Sequence, residues 1–345
     1  MKSYSIALCS LICATCVGLA ISQDKLVEPK TIDDGTSSTL KITTPRTARA
    51  LIICGLMGDD DHRKLYAEVV ERLYTGLTTH HGFAPENVTL YWSDAVPEDA
   101  GPALKASRGP ATREAIENAA AELTSAAQAS DAAWVFVLGH AHYDGRYSWL
   151  NIPEADIHHL DFGKLFAGLH CHEQVFFMTT SVSGFYHKSL AARGRVVITA
   201  TEPDFEVNET LFPQHLAKTL AEPPPFKDLD VDEDGKLTLL DAYLYTTQKV
   251  AEEYTAGMLL ATEHALLDDT GDAKPTELQA NYLIEELGGR YKPGKAKPIL
   301  RSGDGALARQ ILLDYPPSPP APDETPLPEP TATPKEATLP AEAAK

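Results

Sequence analysis

Short runs of apolar residues alternate with longer segments whose apolar positions recur every three or four residues. Ala50-Leu51-Ile52-Ile53-Cys54 is continuous and stops at Gly55, as a strand buried on both faces would. Asp61 to His80 carries Leu65, Val69, Leu73 and Leu77 at four-residue spacing, which predicts an amphipathic helix. Strands are further predicted at Val88–Trp92, Ala133–Leu138, Val175–Thr180 and Val196–Ala200, with helices at Ala111–Ala129 and Leu160–Leu169. Strands separated by helix-length segments imply an α/β fold, a mainly parallel sheet flanked by helices. In such sheets the chemistry gathers beyond the carboxyl ends of the strands.

The two ends of the chain lack this pattern. Lys2 followed by the apolar stretch Ile6–Leu19 and by Ala20-Ile21-Ser22 reads as a signal peptide over residues 1–22, so the protein is expected to be secreted or periplasmic. Cys16 sits in a poor lipobox, which disfavours a lipid anchor. Residues 23–46 are polar and Thr-rich, a linker. Residues 313–345 form a tail with ten prolines between Pro316 and Pro340, too poor in apolar surface to fold and biased to polyproline II. The interior is one large domain, with residues 47–228 as the α/β core and 229–312 completing it.

Charge narrows the partners. The 345 residues hold 30 basic and 49 acidic side chains, a net charge of −19, so no phosphate backbone would be neutralised and nucleic acid is excluded as a partner. No apolar run beyond residue 22 is long enough to span a bilayer. A polypeptide, as substrate or as protein partner, remains the class to consider. Of five cysteines only Cys54 and Cys171 lie outside the signal; both adjoin apolar runs and read as buried thiols rather than a disulfide.

Two predicted strand ends carry reactive side chains. The third strand runs into Gly139-His140-Ala141-His142-Tyr143-Asp144, and the fourth into Thr179-Thr180-Ser181-Val182-Ser183-Gly184. A histidine after one strand and a nucleophile-type residue after the next can meet at the sheet edge. On these motifs, together with Gly194–Thr201 and Ala261–Asp269, the chain resembles the caspase/legumain fold, and more closely a set of secreted bacterial legumain-like proteins, over about residues 48–275. The resemblance implies His140 as general base and puts Ser181 where the family has its catalytic cysteine. Ala141 replaces the glycine that follows the family's histidine.

A hydroxyl is a far weaker nucleophile than a thiol beside imidazole and needs a base oriented by a third group; Asp144 is a candidate for that role. The resemblance therefore implies either a degenerate peptidase kept as a binding or scaffold module, or a hydrolase of peptide or related acyl bonds that uses Ser181 and His140. Cys171 precedes its strand and Cys54 belongs to the first, so neither substitutes. A different chemistry is open to His140-x-His142-x-Asp144, whose alternate side chains share one face of an extended segment, as in a metallohydrolase; the pattern is similar to the His-x-His-x-Asp-His of metallo-β-lactamase-type enzymes but has Gly145 at the last position. His170-Cys171-His172 lies at the opposite strand end.

One further motif is self-contained. Asp230-Val231-Asp232-Glu233-Asp234-Gly235-Lys236-Leu237-Thr238-Leu239-Leu240-Asp241 fits a twelve-residue EF-hand calcium loop. Asp230, Asp232 and Asp234 supply oxygens at positions 1, 3 and 5, and Lys236 supplies its carbonyl at 7. Gly235 makes the turn and Asp241 closes the loop, one methylene shorter than the usual glutamate. Weak binding of a single calcium, as a structural clamp before a helix at Ala242 to about His264, is expected.

Overall fold

Burial on both faces decides the architecture. In β1 (Ala48–Cys54), Ala48, Ala50, Ile52 and Cys54 face one apolar layer while Leu51 and Ile53 face the other. In β3 (Ala132–Leu138), Trp134, Phe136 and Leu138 alternate in the same way with Ala133, Val135 and Val137. Such strands need helices above and below, and both layers are present. The computed structural model describes residues 46–203, 205–277 and 303–314; the expected signal peptide, nearly all of the linker and the tail from residue 315 lie outside them.

The sheet has seven strands in the order β10-β9-β8-β7-β3-β1-β2. Five strands, from β2 (Val88–Trp92) at one edge through β1, β3 and β7 (Glu173–Met178) to β8 (Arg195–Thr199), are parallel, as the sequence predicts. Two short strands, β9 (Leu266–Asp268) and β10 (Thr276–Glu277), extend the β8 edge antiparallel. One layer holds α1 (Asp60–Thr79), α6 (Phe212–Ala221) and α8 (Leu239–Ala256). The other holds α3 (Arg113–Ala126) and α4 (His159–Leu165). Short helices α2 (Pro102–Lys105), α5 (His187–Leu190) and α7 (Phe226–Leu229) complete the connections. Among the described residues no helix is long and apolar enough to cross a membrane.

The chain leaves β1 toward β2 on one side and returns to β3 on the other. The strand order therefore reverses between β1 and β3, and in open parallel sheets the carboxyl ends at such a reversal point border a crevice. A small antiparallel sheet sits beside that crevice: β4 (Ala141–Tyr143), β5 (Ser148–Leu150) and β6 (Ile157–His158). Its strands are too short and polar to be read from periodicity.

Three expectations are corrected. The helix after the acidic loop spans Leu239–Ala256 rather than Ala242 to His264: Thr238 is its N-cap, with Asp241 completing a capping box, and the chain turns away at Gly257. Leu313 belongs to the fold rather than the tail, since its N–H donates to the Leu237 carbonyl at 2.9 Å and its side chain is buried. Cys54 is buried, but Cys171 is only partly so; both are free thiols, and burial raises the Cys171 pKa to about 11.

Candidate functional site

His140 stands at the reversal point. Its backbone N–H donates to Leu56 O at 2.9 Å, its carbonyl accepts from Asn151 N at 3.0 Å, and its ring Nε2 donates to Met57 O at 2.7 Å. The chain segments after β1 and β3 thus clasp one imidazole and fix its tautomer, with the proton on Nε2. The positive φ of this turn falls on Gly139, at +106°, while Ala141 is the first residue of β4 and extended, so alanine carries no backbone penalty there.

Ser181 follows β7 as expected, but its hydroxyl points elsewhere. Oγ donates to the Ala141 carbonyl at 3.0 Å, and among the described residues Ser181 shares no hydrogen bond with His140. The side chain is nearly enclosed, at 6% exposure. Val182, next in the chain, is held in the left-handed region at φ +47°, a conformation that costs a β-branched residue on the order of 1–3 kcal/mol. Its N–H donates to Glu206 O at 3.0 Å, and reciprocal bonds between Ser183 and Thr201 brace the same turn.

Asp144 does not orient His140. Its carboxylate accepts the N–H groups of Arg146 and Tyr147 and the Trp149 indole at 2.7–2.8 Å, and the Tyr147 and Trp149 bonds keep its pKa below the ordinary carboxylate value. His142 pairs through Nδ1 with Asn151 Oδ1 at 2.6 Å and stacks on Trp149. His140, His142 and Asp144 thus share neighbours, Asn151 between the two histidines and Trp149 between His142 and Asp144, but among the described residues their donor atoms do not converge as one ligand set.

The side chains that do converge on His140 are His62 and Glu209, and sequence reasoning missed both. One ring nitrogen of each histidine and a Glu209 oxygen all lie within 4.8 Å of one another. His62 sits in the first turn of α1, capped by Asp59, whose Oδ1 takes the N–H groups of Asp61 and His62 and also the His62 Nδ1 at 2.7 Å. The His62 Nε2 pairs with Glu209. Partial burial favours the neutral ring, yet Asp59 and Glu209 raise its pKa overall. Tyr66, one turn along α1, meets the His140 ring edge-on at 6.4 Å; burial, then the neighbouring Glu209 charge, push its phenol well above the ordinary value. The available signal was a histidine at the start of the helix that follows β1.

The acidic loop gathers part of its predicted ligand set. Oxygens of Asp230, Asp232 and Asp241 come within 4.8 Å of one another, whereas Asp234 turns its Oδ1 to Lys236 N at 2.9 Å. Gly235 makes the turn at φ +81°. Asp241 is fully buried and accepts from Val231 N, Asp232 N and both the N–H and hydroxyl of Thr238, at 2.6–3.3 Å. Burial raises its pKa, opposed by the Thr238 hydroxyl and reinforced by Asp232.

Two loops border the Ser181 turn. Glu206 ties them, accepting from His264 N at 2.9 Å while its other oxygen pairs with His264 Nδ1. Next to His264, buried Glu263 accepts Leu211 N at 2.7 Å and Phe212 N at 3.3 Å at the start of α6. Phe205, Val207, Met258, Leu259 and Leu260 are exposed on these loops. The sequence matches no protein-family model and no curated protein.

Proposed function

We propose that this is an exported polypeptide-binding module on a caspase/legumain-like fold, clamped by calcium, in which Ser181 has no nucleophilic role. The carrying observation is the Ser181 hydroxyl, which is spent on the Ala141 carbonyl at 3.0 Å instead of on an imidazole. A serine attacks only when a base takes its proton in the same step, and here the hydrogen lies on a carbonyl that cannot accept it. Calcium is supported by the convergence of Asp230, Asp232 and Asp241, three carboxylates that a divalent cation would hold together. The exposed apolar residues at 205–207 and 258–260 supply a surface for an extended chain.

The test is digestion of a broad peptide library by the purified chain and by Ser181→Ala, in calcium and in chelator. The binding reading expects no cleavage by either, with a higher thermal midpoint in calcium. Cleavage by the first protein alone would overturn it and establish a serine hydrolase. That second reading draws on Val182, since backbone strain beside a hydroxyl residue is a recurrent device of nucleophile turns.

A further inference from the structure

His62, His140 and Glu209 come from three separate places in the chain, and only the fold unites them. His62 lies in the first turn of the helix leaving β1, His140 follows β3, and Glu209 precedes α6. The first two flank the crevice where the strand order reverses, the place where open parallel sheets put their ligands. We propose that these three side chains bind a transition-metal dication of the zinc class, a site distinct from the acidic calcium loop.

The donor set fits that chemistry. Two imidazole nitrogens and one carboxylate oxygen, with donor atoms all within 4.8 Å, match a three-ligand zinc site that leaves a position open to solvent. Hard, all-oxygen cations such as calcium and magnesium are disfavoured by two imidazoles. The outer shell is also built. Asp59 Oδ1 holds the His62 Nδ1 at 2.7 Å, which directs Nε2 toward Glu209. Met57 O holds the His140 Nε2 at 2.7 Å, leaving Nδ1 as the nitrogen with a free lone pair. Metal-binding histidines are oriented in this way, by a carboxylate or a backbone carbonyl on the nitrogen that does not bind.

A separate observation points to a missing partner. Glu209 Oε1 is shielded from solvent and makes no hydrogen bond of ordinary geometry; the carboxylate's other oxygen engages His62, and the only further donor near the carboxylate among the described residues is the Tyr66 phenol. A buried carboxylate oxygen without a well-placed donor is costly, and a cation between the three side chains would satisfy it. The His62 and Glu209 side chains are 31% and 27% exposed, so an ion has a path in from solvent.

The experiment titrates the purified chain, first stripped with chelator, with Zn²⁺ against a chromophoric competitor and with Co²⁺ followed by visible absorption. One equivalent should bind, and Co²⁺ should give the intense bands of a four- or five-coordinate site. His62→Ala and Glu209→Gln should each weaken binding by about 100-fold or more, and Asp59→Asn by about 10- to 100-fold. Asp232→Asn, in the acidic loop, should leave zinc affinity unchanged. Glu209→Gln keeps shape and size, and circular dichroism with a thermal melt confirms that each variant folds. No binding by the wild-type chain would overturn the proposal. So would equal binding by wild type, His62→Ala and Glu209→Gln, which would place the ion elsewhere, for example at His170-Cys171-His172.

Discussion

Arg309 Nε lies 2.7 Å from Asp232 Oδ2, so a guanidinium from residues 303–314 is seated on the third position of the acidic loop. The contact is part of a larger dock: Leu239 N donates to Ile311 O, and Leu313 N donates to Leu237 O, each at 2.9 Å. These backbone bonds bring the segment against the loop whatever the charges do. Arginine and a bound dication would therefore compete for the same carboxylate.

Removing that competitor should tighten calcium. Arg309→Gln is expected to lower the calcium Kd by roughly two- to fivefold. The limit is set by the guanidinium: the Asp232 side chain is only 6% exposed, but that of Arg309 is 46% exposed, and a pair with one end in water is worth about 1 kcal/mol. In chelator the same variant should be slightly less stable, because Asp232 then faces Asp241 without its counter-charge. Calorimetric titration at low salt and urea melts in chelator check both signs. Equal calcium affinity in the two proteins would show that Arg309 and the ion do not share Asp232.

Gly58 controls the pose of His140. At φ +87° an added Cβ would stand 2.9 Å from the His140 Nε2 and 3.2 Å from Cδ2. Gly58→Ala should therefore cost about 1–3 kcal/mol and displace the ring from the Met57 carbonyl. Gly82 separates the two effects: it also has positive φ, at +72°, but nothing within 4 Å of its Cβ. Gly82→Ala should show the backbone cost alone. Imidazole NMR of the two variants distinguishes them, with the His140 resonances shifted only in Gly58→Ala.

The core offers a prediction that is independent of any site. Phe136 and Phe177, opposite each other on β3 and β7, stack with centroids 4.6 Å apart and no exposure. Phe177→Ala should destabilise by about 3–5 kcal/mol through lost burial and a cavity that the strands cannot close. Phe226→Ala, at a ring 45% exposed, should fall within about 1 kcal/mol of wild type. Denaturant midpoints at constant slope decide this.

Phe136 and Phe177 lie in continuous apolar runs, and a strand buried on both faces has no other appearance, so the parallel core was legible. Thr238 as a helix cap was legible in principle but was absorbed into the calcium pattern, which set the start of α8 three residues late. The strands β4, β5 and β6 hold two or three residues each and mix His, Trp and Ser, so periodicity had nothing to work on. His140 and Ser181 could be placed at strand ends, but the direction of a hydroxyl depends on its neighbours in space. Glu209 is the clearest case: nothing local distinguishes it from Glu202 or Glu206, and its meeting with His62 follows from where α6 packs against α1.

Glu263 gives the fold a pH dependence of definite sign. Burial pushes its carboxyl up to about 8, against the opposing pull of the Leu211 and Phe212 N–H groups at the start of α6. An unfolded glutamic acid titrates near 4.3, so between those values the folded chain holds a proton that the unfolded chain has lost. Stability from this group is then complete below about pH 4 and is lost as pH rises through about 8. Glu263→Gln removes the titration; its one oxygen can keep the 2.7 Å bond from Leu211 N, while the longer bond from Phe212 N, made to the other carboxylate oxygen, is lost at every pH. Relative to wild type, the variant should gain stability across that interval and level off above about pH 8, by an amount on the order of 5 kcal/mol. Urea melts of both proteins from about pH 5 to 9 cancel the contribution of every other group in the difference. Parallel profiles would show that Glu263 stays ionised in the fold, with the two N–H donors outweighing its burial.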